Sequence, residues 1–289
     1  MRAKGIHLTG PTWRCGAHAL PLTPALVMGI VNVTPDSFSD GGVNFDPRAA
    51  FVSAWAMSAA GADLIDVGGE STRPGSAEVS LAEELDRVLP VVRDLAARGT
   101  VVSVDTRHAS VAAACVRAGA SVINDISGFS DPAMVALAAS CDAGLVVMHM
   151  QGDPGTMQDE PHYRDVVAEV AAYLLGQAAS LEAAGVARER IVLDPGIGFG
   201  KTTAHNLELL RRLDEIVALG YPVLVGASRK RFIGEITGET QPRDRLAGSI
   251  AAALVAVEHG AAIVRVHDVA ETVQALAIAQ AVRGGTEER

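Results

Sequence analysis

The sequence predicts an α/β protein, a single (β/α)8 TIM barrel with a short N-terminal extension. Three observations carry that expectation. Eight short apolar runs recur from residue 26 onward, each ending in a polar or glycine-rich turn. Helical patterns fill the intervals between the runs. Eight strand–helix units in about 255 residues fit a barrel of this class. No dinucleotide fingerprint follows the first run, which disfavours the alternative, an open doubly wound sheet.

Composition agrees with a packed domain. Of 289 residues, 49% are hydrophobic and 20% charged, which excludes a disordered chain. Aromatic residues make up only 4%, so Ala, Val, Leu and Gly must supply most of the packing volume. Length alone would allow two domains, but a barrel of roughly 250 residues is a single one.

Residues 1–24 show no periodic pattern and are expected to form an extension; residues 25–289 are expected to form the barrel domain. The strands expected are Leu26–Asn32, Leu64–Val67, Val101–Asp105, Val122–Asn124, Leu145–His149, Ile191–Asp194, Val223–Gly226 and Ile263–His267. Their continuous, β-branched character is that of parallel strands covered on both faces. Ser80-Leu81-Ala82-Glu83 reads as a capping box ahead of Leu85, Val88, Leu89, Val92 and Leu95 at helical spacing. Val166, Val167, Val170, Leu174 and Leu181 predict a second helix closed by Gly185. Leu207, Leu210, Leu213, Ile216 and Val217 predict a third closed by Gly220, and Asp268 with Glu271 is expected to cap the last.

The charge balance is 24 basic against 34 acidic residues, a net −10. Such a chain is a poor general nucleic-acid binder, because phosphate affinity needs Lys and Arg to displace counterions. A small anionic ligand needs only a few placed cations and stays open. Cys15, Cys115 and Cys141 are widely spaced and odd in number, matching neither a disulfide framework nor a zinc spacing. No basic and apolar leader opens the chain and no apolar run reaches 18 residues. A soluble, cytoplasmic protein without a membrane partner is therefore expected.

In a barrel the chemistry sits where the C-terminal strand ends meet their loops. The ends here are polar: Asn32, Gly68-Gly69-Glu70, Asp105, Asn124-Asp125, His149, Asp194, Ser228 and His267. The first loop, Asn32 to Gly42, reads as a turn-rich surface loop or as a lid carrying a metal or anion contact. Asn32 is its most constrained member. The second, Gly69 to Ser76, sets hydroxyls beside Arg73 between glycines, a good oxyanion receptor.

Asp105, Asn124 and Asp194 end three separate buried strands. Each alone is compatible with helix N-capping. Converged at one mouth, two carboxylates that accept and an amide that does both suit a flat heterocycle with an amino-pyrimidinone edge. Asp194 to Thr202 ends in Gly-Lys-Thr like a phosphate loop, but Pro195 occupies the first glycine of that motif, so the pattern fails. Its glycines fit a close backbone approach, with Phe199 as an apolar wall.

Ser228 to Phe232 follows the seventh strand and Arg265 to Asp268 ends the eighth, where barrels often bind phosphate. The last helix adds oriented N–H groups there. Arg265 and His267 share a face, and Arg265 inside an apolar strand needs a salt bridge or a ligand. Arg231 reads as a solvated charge, and His149 as a satisfied structural histidine outside the site.

Taken in order, these segments closely resemble the dihydropteroate synthase family. The matching pieces are Met28 to Gly42, Asp66 to Gly75, Ser103 to Thr106, Ile123 to Ile126, Met148 to Met150, Leu193 to Lys201, Gly226 to Phe232 and Arg265 to Asp268. The resemblance implies condensation of 6-hydroxymethyl-7,8-dihydropterin diphosphate with 4-aminobenzoate, giving 7,8-dihydropteroate and pyrophosphate. It also implies Mg2+ and a homodimer. By position, Asp105, Asn124, Asp194 and Lys230 hold the pterin, with Met148 and Phe199 lining its slot. Asn32 contacts Mg2+ and the diphosphate, and Thr72, Arg73, Arg265 and His267 serve the anion. Asp36, Phe38, Pro74 and Ser228 resemble residues of the mobile loops and aminobenzoate pocket. Asp105, Lys230, Arg265 and Asp36 are the catalytic candidates.

That chemistry is consistent with the residues themselves. A leaving diphosphate needs cations and N–H donors as its charge builds, and Arg73, Lys230, Arg265 and His267 would form a local cationic mouth on an acidic protein. An arylamine attacks without prior deprotonation, so no Ser-His-Asp or Cys-His arrangement is required. Two rivals share the pterin acids. A pterin-dependent methyltransferase has no need of the Ser71–Gly75 and Ser228–Phe232 features. A non-catalytic pterin-binding paralogue finds no support in a lost signature residue.

Overall fold

The computed structural model describes residues 11–34, 47–70, 79–153 and 155–284. Asp36, Phe38, Thr72, Arg73 and Pro74 lie outside the described residues. An antiparallel pair, β1 (Thr12–Cys15) and β2 (His18–Pro21), precedes eight parallel strands. These are β3 (Leu26–Asn32), β4 (Leu64–Gly68), β5 (Val102–Asp105), β6 (Val122–Asp125), β7 (Gly144–Met148), β8 (Ile191–Asp194), β9 (Leu224–Val225) and β10 (Ile263–Val266).

The strand order is β8-β7-β6-β5-β4-β3-β10-β9. A single parallel bridge, Leu193 to Val223, joins the two edges, and the Leu193 N–H donates to the Pro222 carbonyl at 2.9 Å. The sheet thus closes, and the expected (β/α)8 barrel is the fold. The seventh barrel strand is shorter than its apolar run suggests: only Leu224–Val225 pair regularly, because Val223 is spent on the closing bridge.

Helices α1 (Pro47–Ala59), α2 (Leu81–Ala97), α3 (Ala109–Arg117), α4 (Pro132–Ser140), α5 (Val166–Ala183), α6 (Thr203–Arg211), α7 (Leu213–Val217), α8 (Arg231–Thr237), α9 (Leu246–Glu258) and α10 (Val269–Gly284) surround it. Three local expectations need correction. At the start of α2, Ser80 accepts from the Glu83 N–H at 3.3 Å, but the Glu83 carboxylate turns forward to Arg87 at 2.5 Å rather than back to the cap. The helix expected over Leu207–Val217 is two helices. Arg212 breaks it at φ −111°, ψ 29°, and its guanidinium is shared among Asp165, Glu208 and Glu215. Before α10, the Asp268 carboxylate is taken up by Arg229 instead of capping the helix.

Helix α5 is long and apolar enough to cross a membrane by length and composition. Its Val166, Val167, Val170, Leu174, Ala178 and Leu181 are buried against the barrel, which accounts for that apolar character. Cys15 and Cys115 are buried free thiols and Cys141 is a half-buried one.

Strand alternation sorts the side chains. Ile65, Val67, Val102, Val104, Ile123 and Leu193 point outward and pack under the helices. The alternate register points inward, where Leu64, Val122, Val146, Val192, Leu224 and Ile263 fill the lower half of the barrel. The β1–β2 hairpin closes that lower end. Trp13 is fully buried among these residues and donates its indole N–H to the Arg190 carbonyl at 2.9 Å.

Candidate active site

One step further up the same inward register, the apolar layer gives way to Asp66, Ser103, Asn124, Met148, Asp194 and Arg265. Asn32 and Asp105 lie above them. Strand periodicity therefore builds the site: residues two apart share a face, so a polar residue at each strand's end lands in one ring. Asp105, Asn124 and Asp194 do not serve as caps of the helices that follow them. The N-caps of the following helices are instead His108, Asp131 and Thr202.

Arg265 organises the ring. Its Nε donates to Asp66 Oδ2 at 2.6 Å and its Nη2 to Asp105 Oδ2 at 2.7 Å. Asn124 Nδ2 donates to the same Asp66 oxygen at 3.1 Å. That bond leaves the Asn124 amide oxygen as its acceptor for a ligand. Asp194 Oδ1 accepts from the Gly196 N–H at 2.7 Å.

Burial dominates the electrostatics. It pushes the Asp105 carboxyl up to about 7 although Arg265 opposes the rise. It raises Asp194 too, against the Gly196 N–H and the cations Lys230, Arg265 and Lys201. Burial and the neighbouring Arg265 charge bring Lys230 down to about 8, with Asp194 and Asp105 pulling the other way. A low-dielectric site with paired charges of both signs is typical of one that binds a polar ligand.

Asn32, Asp105, Asn124, Met148, Asp194 and Phe199 line one cavity of about 760 Å3 together with Ser228, Lys230, Arg265 and His267. All ten site residues expected from sequence that fall within the described residues are thus brought together. Phe199 packs with Ile126, Met148 and Met157 as the apolar wall. The Lys230 ammonium sits 3.9 Å from the centre of the Phe199 ring, a cation–π contact. On the other rim, Ser228 Oγ lies 3.0 Å from His267 Nδ1 and accepts from the His267 backbone N–H at 3.2 Å. Arg229 pairs with Asp268, whereas Arg231 is mostly exposed beside Glu235.

Sequence reasoning missed two members of this site. Asp66 carries no role in the sequence beyond its place in a motif, yet it is fully buried and holds both Arg265 and Asn124. Its signal was available: a carboxylate in the middle of the apolar strand Leu64–Gly68 requires a partner. Lys201 ends a segment that fails the phosphate-loop pattern, yet it is 1% exposed and borders the cavity.

A family model described as pterin binding enzyme matches residues 28–267. The chain is 49% identical over 272 residues to the dihydropteroate synthase of Escherichia coli strain K12, covering 94% of this chain and 96% of that one. Among solved structures, it resembles Xanthomonas albilineans dihydropteroate synthase with 4-aminobenzoic acid. That match has a TM-score of 0.91 and 48% identity, covering 96% of this chain and 100% of the other. Burkholderia cenocepacia dihydropteroate synthase complexed with 7,8-dihydropteroate matches with a TM-score of 0.87 and 45% identity over 97% of this chain and 99% of the other.

Proposed function

The chain belongs to the pterin-binding enzyme family, among its dihydropteroate synthases, and from that premise we propose how its barrel mouth works. It condenses 6-hydroxymethyl-7,8-dihydropterin diphosphate with 4-aminobenzoate, releasing 7,8-dihydropteroate and pyrophosphate. The observation that carries this reading is the Arg265 guanidinium drawn between Asp66 and Asp105, beside Asn124, Asp194 and Lys230.

Asp194 and the Asn124 amide oxygen accept the pterin's N–H groups, and Asp105 and Lys230 complete its polar contacts. Met148 and Phe199 line the slot or mouth for its flat ring from one apolar wall. Arg265 and His267 serve the diphosphate, a role that the family resemblance also gives to Thr72 and Arg73. Asp36, Phe38, Pro74 and Ser228 serve the aminobenzoate side. As the C–O bond to the diphosphate breaks, negative charge grows on the leaving group and positive character on the pterin methylene. Arg265 stabilises the first and Asp105 the second. The arylamine nitrogen then attacks the methylene, and the resulting anilinium gives its proton to solvent.

Mg2+ fits as a partner of the diphosphate. Mg2+ retains water and often binds through substrate phosphates with one or two protein oxygens. Asn32 offers one such oxygen at the barrel mouth. No group of three or more His, Cys, Asp or Glu suited to a metal occurs among the described residues, so sparse ligation by Asn32 is the arrangement proposed. When bound, the ion neutralises part of the diphosphate charge.

We further read residues 25–289 as one barrel domain with residues 1–24 as its extension, working in the cytoplasm without nucleic-acid or membrane partners. The net charge of −10 supports the exclusion of nucleic acid. A homodimer is supported by the exposed apolar side chains Val255 on α9 and Ile278 and Val282 on the adjoining α10. The deciding experiment is pyrophosphate release from purified protein with Mg2+ and the pterin diphosphate, with and without 4-aminobenzoate. Release that depends on 4-aminobenzoate and yields 7,8-dihydropteroate is expected. No product in either condition would favour a non-catalytic pterin binder.

A further inference from the structure

Lys201 is a buried cation that borders the cavity and to which the reaction gives no task. Its ammonium does not enter a carboxylate pair. It donates to the Phe199 carbonyl at 2.9 Å, to His149 Nδ1 at 3.0 Å and to the His149 carbonyl at 3.4 Å. Three donors thus meet three acceptors on two different loops. His149 belongs to the loop after β7, and Phe199 to the loop after β8.

Those loops are pressed together. At Gly196, φ is +67°, and a Cβ there would stand 1.9 Å from the His149 carbonyl oxygen. The His149 ring is itself held: its centre lies 4.9 Å from that of Tyr173, edge to face, and 6.1 Å from that of Tyr163. Burial and the Lys201 charge bring His149 down to about 3, so the ring is neutral and its Nδ1 accepts. The loop after β8 therefore has a rigid anchor on one side.

On the other side stands the pterin slot. The Phe199 ring supports the Lys230 ammonium, and the Lys230 side chain runs across Gly198, with Cδ 3.0 Å from where a Cβ would be. A shift of Phe199 would carry Lys230 with it.

We propose that Lys201 is a positioning residue for the pterin substrate: its ammonium bolts the loop Gly196–Lys201 to His149 and so fixes the Phe199 ring and the Lys230 charge resting on it. The Gly-Lys-Thr end of this segment, which mimics a phosphate loop, is thus an internal clamp. The inference rests on the pterin-binding reading given above.

The test is a double-mutant cycle read by calorimetric titration of the pterin diphosphate with Mg2+. Lys201→Met is expected to weaken pterin affinity by about tenfold, the scale of one lost charge-assisted hydrogen bond, with the KM for 4-aminobenzoate unchanged. In a Phe199→Ala background the same substitution is expected to change affinity little, because the element it positions is gone. His149→Leu, which removes one acceptor and keeps the amine, supplies a second route, with a smaller loss that also vanishes in Phe199→Ala. For whichever variant keeps the parental circular dichroism spectrum, unaltered pterin affinity overturns the proposal. So does a loss that persists undiminished beside Phe199→Ala. Failure of the parent protein to bind the pterin diphosphate would instead overturn the functional reading.

Discussion

Arg265 reaches the fully buried Asp66 at 2.6 Å across the barrel interior, from β10 to β4. Strand β3 lies between them and contributes no charge at that level. The same Asp66 oxygen receives the Asn124 amide, so one carboxylate fixes both a cation and the orientation of the Asn124 amide. Removing one partner of a buried pair typically costs about 3–5 kcal/mol; Arg265 keeps Asp105 at 2.7 Å, which places the loss of Asp66 toward the lower end of that range. Asp66→Ala is expected to lower the unfolding free energy on that scale and to weaken pterin binding more than 4-aminobenzoate binding. Chemical denaturation and titration of each ligand check this; equal losses for both ligands would count against a pterin-specific role.

The acids and cations of the mouth are expected to separate by ligand. Asp194→Ala and Lys230→Ala should abolish measurable pterin binding, whereas Arg265→Ala should mainly weaken binding of the diphosphate group. Titrating the pterin diphosphate and free pyrophosphate into each variant reads the two effects apart. Unchanged pterin affinity in both Asp194→Ala and Lys230→Ala would falsify the assignment.

Trp13 plugs the lower end of the barrel, on the far side from the mouth. Trp13→Ala removes a fully buried indole and its hydrogen bond to Arg190. A large-to-small change of this kind costs about 3–5 kcal/mol. Urea unfolding should show that loss, while kcat and both KM values measured below the transition stay near the parent's. A selective fall in pterin affinity would show that the hairpin reaches the site.

Lys201 gives the ligand-free protein a distinctive pH dependence. Burial brings its amine down to about 7 in the folded state, Asp194 raising it and Lys230 lowering it. The unfolded amine titrates near 10.4. Between those values the unfolded chain holds the extra proton, so this group makes stability rise with pH across roughly pH 7 to 10. The parent should gain stability relative to Lys201→Met over that window, by at most about 1.4 kcal/mol per pH unit for one proton. Denaturation at several pH values measures it; a constant difference between the two proteins would exclude the linkage.

The barrel was legible in the sequence because strands covered on both faces read as continuous apolar runs, and most of its mouth because polar residues end those runs. Asp105, Asn124 and Asp194 stand at the ends of such runs, and eight ends of a closed parallel sheet converge on one face by geometry alone. Helix termini were less legible. Glu83 had a choice between its cap and Arg87, and Arg212 had acids within reach on another helix, Asp165 among them; local pattern does not decide such competitions.

By itself, the sequence determined the fold class, the polar ring of strand ends and the family to which they belong, since periodicity and motif order are properties of the chain. Only the tertiary structure decided which charges meet. Asp66 and Arg265 are 199 residues apart in sequence, and Lys201 finds His149 across 52. Burial turns such distant groups into obligatory partners, because a polar group without water must find its hydrogen bonds wherever the fold places them.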